Sequence, residues 1–371
     1  MKWCRKCVLP DTRPHLTIGD DDICNACKNH NQKQLVNWDE RYSSLLKIVN
    51  ESKARSKGYD CLIPVSGGKD STWQTVKCLE LGLRPLAVTW RTPSRTEIGQ
   101  KNLDNLISLG VDHIDYSISP KVEKKFMVNS FERFGSTAIP MHMALFNIPL
   151  LVAYKFDIPL IIWGENSAIE YGSSEEADKG FKLSLDWIKK YGVTHGTVAE
   201  DWIDDELSEK DLTPYFGPSE SELNKSDVRA IFLGYYIKWD PELTKTVAIK
   251  NGFNIDKKIR TGYYDYADID DDFISIHHWM KWYKFGFTRL YDNLSLEIRN
   301  KRMTREKAIN LIIDSKEMKP DDYIKSFCKF AGISEIYFFK IAERYRNQDI
   351  WKKKDDGKWY IPNHLIQDWN W

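Results

Sequence analysis

Residues 1–30 show no core-forming period and are rich in Cys, Asp and Asn. The first amphipathic helix is predicted at "DERYSSLLKIVNESKAR", residues 39–55. From there the rhythm is strand, helix, strand. "DCLIPV" reads as a buried strand, and "DSTWQTVKCLELG" as a helix closed by Gly82. "RPLAVTW" and "VDHIDYSI" read as further strands, separated by the helix "IGQKNLDNLISLG". "PKVEKKFMVNSFERFG" is a helix opened by Pro120, "MHMALFNIPLLVAYKFD" a buried helix, and "IPLIIWGEN" a fourth strand. Such alternation implies parallel βαβ units covered on both faces. Beyond about residue 240 the strands fade. "ISIHHWMKWYKFGFTRLYDNLSLEIRN", "TREKAINLIID", "PDDYIKSFCKFAG" and "SEIYFFKIAERYR" read as successive helices. The predicted division is a Cys-rich knuckle at 1–35, an α/β domain at 36–240 and a helical C-terminal domain at 241–371, with no internal repeat.

The length of 371 residues agrees with several domains, and 42% hydrophobic residues suffice for their cores. Fifty-four basic residues balance 54 acidic ones, so no general field draws the chain to nucleic acid or an anionic membrane. The basic run "RNKRMTREK" reads as a solvated helix face. No apolar run reaches bilayer length, and "MKWCRKCVLPDTRP" lacks the apolar centre of a signal peptide. Seven cysteines, four of them in two pairs, fit a reducing compartment better than a disulfide framework. A cytoplasmic location is expected.

Between the first strand and its helix lies "SGGKDS", Ser66 to Ser71. Gly67 and Gly68 lack Cβ atoms, so backbone N–H groups can converge on an anion there. The helix that begins near Asp70 directs its positive end at the same point. Lys69 adds a full charge, and Ser66 and Ser71 add hydroxyls. The spacing is not that of a Walker loop. A carboxylate at position 70 would repel phosphate unless a divalent cation, Mg²⁺, bridged the two. The turn resembles the PP-loop of ATP pyrophosphatases, which adenylate a carbonyl-type oxygen, release pyrophosphate and let a nucleophile displace AMP. Thr89 and Trp90, closing the second strand, and Gly164, after the fourth, complete the expected ATP-binding set.

"CRKC" and "CNAC" place Cys4, Cys7, Cys24 and Cys27 in the pattern C-x2-C-x16-C-x2-C. This spacing suits four thiolates on one Zn²⁺, a closed shell with a structural role. Iron–sulfur ligation uses the same donors and stays open. Cys61, Cys78 and Cys328 read as small buried hydrophobes.

A second loop, "WGENSAIEYGSSEEA", leaves the sheet at the same end as the phosphate turn, so Glu165, Asn166, Glu170 and Tyr171 are placed to meet a second substrate. With it the whole chain resembles the N-acetyl sugar amidotransferase family of surface-polysaccharide and nonulosonate sugar synthesis. The matching stretches are "CRKCVLPDTRP", "ICNAC", "PVSGGKDSTWQ", "WGENSAIEYG" and "HHWMKWYKFGFTRLYDNLSLEIRNKRMTREKA". Ser167, Thr288 and Leu290 depart from the residues expected of that family and leave the exact sugar open.

The resemblance implies a PP-loop (adenine nucleotide alpha hydrolase-like) fold with a zinc knuckle and a helical C-terminal region. It also implies an ATP-dependent enzyme that turns the acetamido group of a nucleotide-activated N-acetyl sugar into an acetamidine, in lipopolysaccharide O-antigen or flagellar-glycan synthesis. Lys69, Asp70, Glu165 and Glu170 are the expected catalytic residues, with either glutamate as base or sugar ligand. Asn166, Tyr171, Lys281, Lys284, Arg289 and Arg299 are the expected substrate contacts. His277 and His278, adjacent on one helix, are expected to point in different directions, with at most one facing inward. The chain shows no nucleophile typical of a glutaminase, so ammonia is expected from a separate subunit of the histidine-biosynthesis type, with a cyclase-like subunit as a further partner. A tRNA-thiolating PP-loop enzyme with a zinc knuckle is the rival reading. It is disfavoured by the neutral charge and by the lack of a third C-x-x-C. A zinc-knuckle scaffold with a merely regulatory nucleotide site is the non-enzymatic one.

Overall fold

The structure, a computed structural model, describes residues 1–33, 35–165, 170, 185–226, 228–315 and 319–366. Helices α1 (Asn25–Lys33) and α2 (Trp38–Arg55) precede the α/β unit. This unit runs β1 (Cys61–Pro64), α3 (Lys69–Glu80), β2 (Pro85–Trp90), α4 (Glu97–Ser108) and β3 (Asp112–Tyr116). It continues through α5 (Pro120–Phe134), α6 (Ile139–Lys155) and β4 (Leu160–Trp163) to β5 (Arg229–Phe232). The five strands are all parallel, in the order β3-β2-β1-β4-β5. The expected parallel sheet is therefore present. Its fifth strand, "RAIF", was not foreseen, because it passes directly into the helix Leu233–Tyr236 without an intervening turn.

Alternate strand residues face opposite sides. Leu62, Leu86, Val88 and Ile161 join a core with Phe126, Ile139 and Met143 of α5 and α6. Cys61, Ile63, Ala87 and Ile162 pack with Leu45, Trp73 and Leu103 of α2, α3 and α4. Both faces are covered, as a parallel sheet requires. From β1 the chain winds one way to β2 and β3, then returns to place β4 on the other side. This reversal opens a crevice at the C-terminal ends of β1 and β4, the usual ligand position in such sheets.

The C-terminal part is helical, as expected, with breaks where glycine takes positive φ. The long stretch from residue 274 to 300 is two helices, Ile274–Phe285 and Arg289–Arg299, separated at Gly286, φ 71°. A short antiparallel pair, Lys352–Lys353 with Trp359–Tyr360, was not foreseen. The four knuckle cysteines are buried together with Phe287, Leu290, Leu294, Met303 and Ile312, so the N-terminal knuckle packs on C-terminal helices. The basic run at 299–307 is only partly a solvated face. Arg302 pairs with Asp240 and Glu297, at 2.8 and 2.7 Å, and Arg305 Nε donates to the Cys7 carbonyl. No helix among the described residues is long and apolar enough to cross a membrane.

Two of the close approaches at glycines bear on the crevice. Gly67 has φ 87°, and a Cβ there would lie 2.7 Å from the Leu103 backbone nitrogen. At Gly99 a Cβ would lie 2.6 Å from Asp270 Cα, where residues 270–272 cross α4. Gly67→Ala combines left-handed strain with a backbone clash. Denaturant unfolding should show a loss of roughly 1–3 kcal/mol, and an unchanged stability would contradict this geometry. For the knuckle, metal analysis of the purified chain should find about one ion per chain. Chelation should then lower Tm by about 5 °C or more. No bound metal, or an unmoved Tm, would count against the Cys4 site.

Candidate functional site

A cavity of about 240 Å³ lies at the switch between β1 and β4. Its floor is the phosphate turn: Ser66, Gly68, Lys69, Asp70 and Ser71. Gly68 caps α3 in extended conformation, and its carbonyl accepts from Ser71 Oγ at 3.0 Å and Thr72 Oγ1 at 3.1 Å. Ser66 Oγ accepts from Gly68 N at 3.2 Å. The turn is thus held open by its own hydroxyls, with the start of α3 beneath it.

Lys69 is buried at the start of α3. Its ammonium bonds both Asp70 carboxylate oxygens at 2.7 Å and Thr244 Oγ1 at 3.1 Å. Trp239 Nε1 donates to Asp70 Oδ1 at 2.9 Å. The Lys69 ammonium also lies 5.3 Å from the Trp239 ring and 5.4 Å from the Tyr266 ring, within cation–π reach. Glu165 follows β4 and lines the same cavity. Burial, reinforced by the Asp70 charge and eased by Lys69, pushes its carboxyl up to about 7. A carboxyl that titrates near neutral pH inside such a cavity is suited to proton transfer.

The opposite wall comes from the C-terminal part: Tyr264, Tyr266, Asp268, Asp270, Arg289, Asn293 and Leu296. Burial and the Asp271 charge raise Asp270 to about 6, while Ser66 bonds its carboxylate and opposes the shift. For Asp268 burial acts upward, but His278, Arg289 and the Thr261 hydroxyl outweigh it and hold the carboxyl far below its ordinary range. Tyr264 and Tyr266 stack at 4.7 Å, and Tyr264 donates to Glu297 at 2.6 Å. Apart from Arg289, this wall was missed in the sequence. The signal was the alternation of aromatic and acidic residues in "YYDYADIDDDF", inside an otherwise helical region.

The other expected residues divide. Gly164 adjoins the site, where a Cβ would lie 4.0 Å from Asp70 Cβ. Thr89 and Trp90 sit outside the cavity lining: Thr89 pairs with His113 at 2.9 Å, and Trp90 Nε1 donates to Glu123 at 2.9 Å. Asn166 and Tyr171 lie outside the described residues. Arg289 is in the wall, but Lys281 pairs with Asp292 at 3.1 Å and Lys284 donates to the Phe134 carbonyl at 2.8 Å. His277 and His278 both turn toward the protein, because their helix lies between two packed elements. His278 is buried on Asp268, and half-buried His277 meets Ser136 and the His142 ring.

Glu170 and Arg299 belong to the knuckle side. The Glu170 carboxylate pairs with Lys33 of α1, whose ammonium also reaches the Trp239 carbonyl at 3.1 Å. Arg299 donates to the Glu170 carbonyl at 3.1 Å. The four cysteine sulfurs all lie within 4.8 Å of one another, with Cys4–Cys27 at 4.0 Å and Cys7–Cys24 at 3.7 Å. Tetrahedral thiolates at a Zn–S distance of about 2.3 Å stand about 3.8 Å apart, so the donor set fits the ion. Backbone N–H groups of Cys7 and Cys24 donate to Cys4 Sγ at 3.4 and 3.3 Å, as a thiolate favours. Buried Arg299 senses the same sulfurs. Burial lowers its pKa, and the thiolate and Glu170 charges raise it more.

Comparison with known proteins adds the following. None of the curated proteins matches the chain significantly. Among solved structures, NMN synthetase from Francisella tularensis is 14% identical with TM-score 0.35, covering 76% of this chain and 97% of its own. A "predicted subunit of tRNA methyltransferase" from Methanocaldococcus jannaschii is 15% identical with TM-score 0.30, covering 62% and 90%. Residues 258–365 match the family model "LPS biosynthesis protein WbpG-like, C-terminal domain". The C-terminal third of the chain, including the far wall of the cavity, is therefore similar to the WbpG-like C-terminal domain of lipopolysaccharide biosynthesis proteins.

Proposed function

We propose that the chain is an ATP-dependent amidotransferase that converts the acetamido group of a nucleotide-linked sugar into an acetamidine. One observation carries this reading. The phosphate turn and the WbpG-like domain line a single cavity, so nucleotide-type chemistry faces residues of a polysaccharide-biosynthesis module.

An amide carbon is a poor electrophile, because its nitrogen donates into the carbonyl. In the proposed reaction the carbonyl oxygen attacks the α-phosphorus of ATP. A C–O–P bond forms, the bond to the β-phosphate oxygen breaks, and pyrophosphate leaves. Ammonia adds to the imidate carbon, loses a proton and expels AMP. The protein contributes positioning and charge neutralisation. Lys69 and the Gly67–Gly68 amides would hold the leaving pyrophosphate. In the structure Lys69 and Asp70 neutralise each other. Phosphates would compete for the ammonium and release the carboxylate, which is then the candidate Mg²⁺ ligand beside Glu165. The ion would supply further charge neutralisation on the phosphates. Glu165 is the candidate to take the proton from ammonia, whereas Glu170, held by Lys33, is placed as a support.

The cysteines support an external ammonia source. All seven are buried, four in the knuckle cluster and Cys61, Cys78 and Cys328 in apolar cores, so none is presented as a glutaminase nucleophile. A separate glutaminase subunit is the proposed donor, with a cyclase-like companion as a further candidate.

Incubation with ATP, ammonium and a panel of nucleotide-activated N-acetyl sugars should give AMP, pyrophosphate and a product in which NH replaces O. Glutamine should not substitute for ammonium until the partner subunit is added; turnover of glutamine by this chain alone would contradict the assignment. Lys69→Ala should lower kcat/KM by about 100-fold or more. As a base, Glu165 must be ionised, so the rate should climb as pH rises through about 7. Glu165→Gln should abolish that limb, and an unchanged profile would remove Glu165 from the role.

A further inference from the structure

The far wall of the cavity presents two polar groups that the chemistry above does not use. The first is Asp270, held where residues 270–272 cross α4. Its backbone carbonyl accepts from Thr96 N at 3.1 Å, and Gly99 leaves room for the close approach. The next residue, Asp271, is tied elsewhere, to the Ser94 hydroxyl and to Phe273 N at 3.0 Å. The Asp270 carboxylate lines the cavity and meets the Ser66 hydroxyl of the phosphate turn. Among the described residues no cation pairs with it, in contrast to Asp268, which His278 and Arg289 hold. Burial and the Asp271 charge keep its carboxyl near 6, so at neutral pH it is ionised and able to take a proton.

The second group is Asn293, 1% exposed and part of the same wall. Its Oδ1 accepts from Tyr263 N at 3.0 Å, and Gly262 leaves the space for that oxygen. This bond settles the orientation of the amide: the oxygen is committed to the backbone and Nδ2 is turned away from it. Among the described residues Nδ2 donates to no group. A buried donor without a partner is costly, so this one points to a ligand. The wall therefore offers one fixed donor and one carboxylate acceptor, opposite a turn built for phosphates. A carboxylate repels phosphate, so the complementary group is neutral, with an acceptor and a donor of its own. A secondary amide carries both on adjacent atoms, a carbonyl oxygen and an N–H.

We propose that Asp270 and Asn293 receive the acetamido group of the second substrate, Asn293 Nδ2 donating to its carbonyl oxygen while Asp270 accepts, and then removes, its N–H proton. The inference rests on the amidotransferase reading and assigns the base of its first half. A carboxylate on the N–H pushes electron density toward the carbonyl oxygen, which is otherwise a weak nucleophile. A lone pair of that oxygen forms the O–P bond, and the N–H bond pair becomes the C=N bond of a neutral imidate. The proton goes to Asp270, and pyrophosphate leaves with the electrons of the broken P–O bond. When ammonia adds, the C=N pair returns to the nitrogen, which takes the proton back from Asp270. Glu165 removes the proton of the added ammonia, and loss of AMP leaves the amidinium. Two carboxyls thus serve two half-reactions.

The test isolates the first half-reaction. Exchange of labelled pyrophosphate into ATP by the full chain, with the panel of nucleotide-activated N-acetyl sugars and no ammonium, reads adenylation alone. Asp270→Asn keeps the shape of the side chain and should slow sugar-dependent exchange about 100-fold or more. It should bind a non-hydrolysable ATP analogue as the wild type does, with unchanged circular dichroism. Asn293→Asp keeps the oxygen for Tyr263 and removes the donor. It should raise the sugar concentration for half-maximal exchange about tenfold or more. Exchange in Asp270→Asn equal to wild type, or an unchanged half-saturation in Asn293→Asp, overturns the proposal. Weakened binding of the ATP analogue in Asp270→Asn does so too, because it assigns the carboxylate to the nucleotide and its cation. Failure of the reading beneath looks different: the wild type then shows no sugar-dependent exchange at all, and the proposal falls with it.

Discussion

The arrangement depends on one ammonium group. Lys69 sits at the first turn of α3, where the backbone aims N–H groups at an anion, yet its charge is shared with Asp70 and Thr244 under two aromatic rings. A buried cation without partners is costly, and this one is satisfied from three directions: its own turn, the helix Pro241–Lys250 and the aromatic residues Trp239 and Tyr266. The same contacts that make Lys69 tolerable inside the protein bring the C-terminal part over the crevice. The sheet supplies the position, and the C-terminal residues that match the WbpG-like model supply the roof.

From this point contacts run outward to the knuckle. Asp70 is held by Trp239 Nε1, and the Trp239 carbonyl by Lys33 of α1. Lys33 pairs with Glu170, and the Glu170 carbonyl is bound by Arg299 beside the cysteine cluster. A structural metal at the knuckle would therefore brace Glu170 as well as the N-terminus. This gives a physical reason for a closed thiolate site in an enzyme whose proposed chemistry needs no zinc.

Much of this was legible because it is local. A glycine pair between strand and helix, two C-x-x-C pairs and alternating strands and helices leave periodic or spaced marks in the chain. The outcomes at Thr89, Trp90, Lys281 and Lys284 show the limit. Their residue types suit ligands, but partners distant in sequence, His113, Glu123, Asp292 and the Phe134 carbonyl, claim their polar atoms. The missed wall has the opposite cause. Asp268 and Asp270 reach the site because residues 270–272 cross α4 at Gly99, a long-range contact that no window of sequence contains. Strand β5, no shorter than β1 or β4, was missed because it runs directly into the helix Leu233–Tyr236 with no turn residues to mark its end.

The central claim is that the carbonyl oxygen of a sugar amide becomes bonded to phosphorus. A substrate carrying ¹⁸O in its acetamido carbonyl, turned over with ATP and ammonium, tests this directly by mass spectrometry. The account requires the label to appear in the phosphoryl group of AMP. Label kept in the sugar, or found in inorganic phosphate with ADP formed instead, would contradict it.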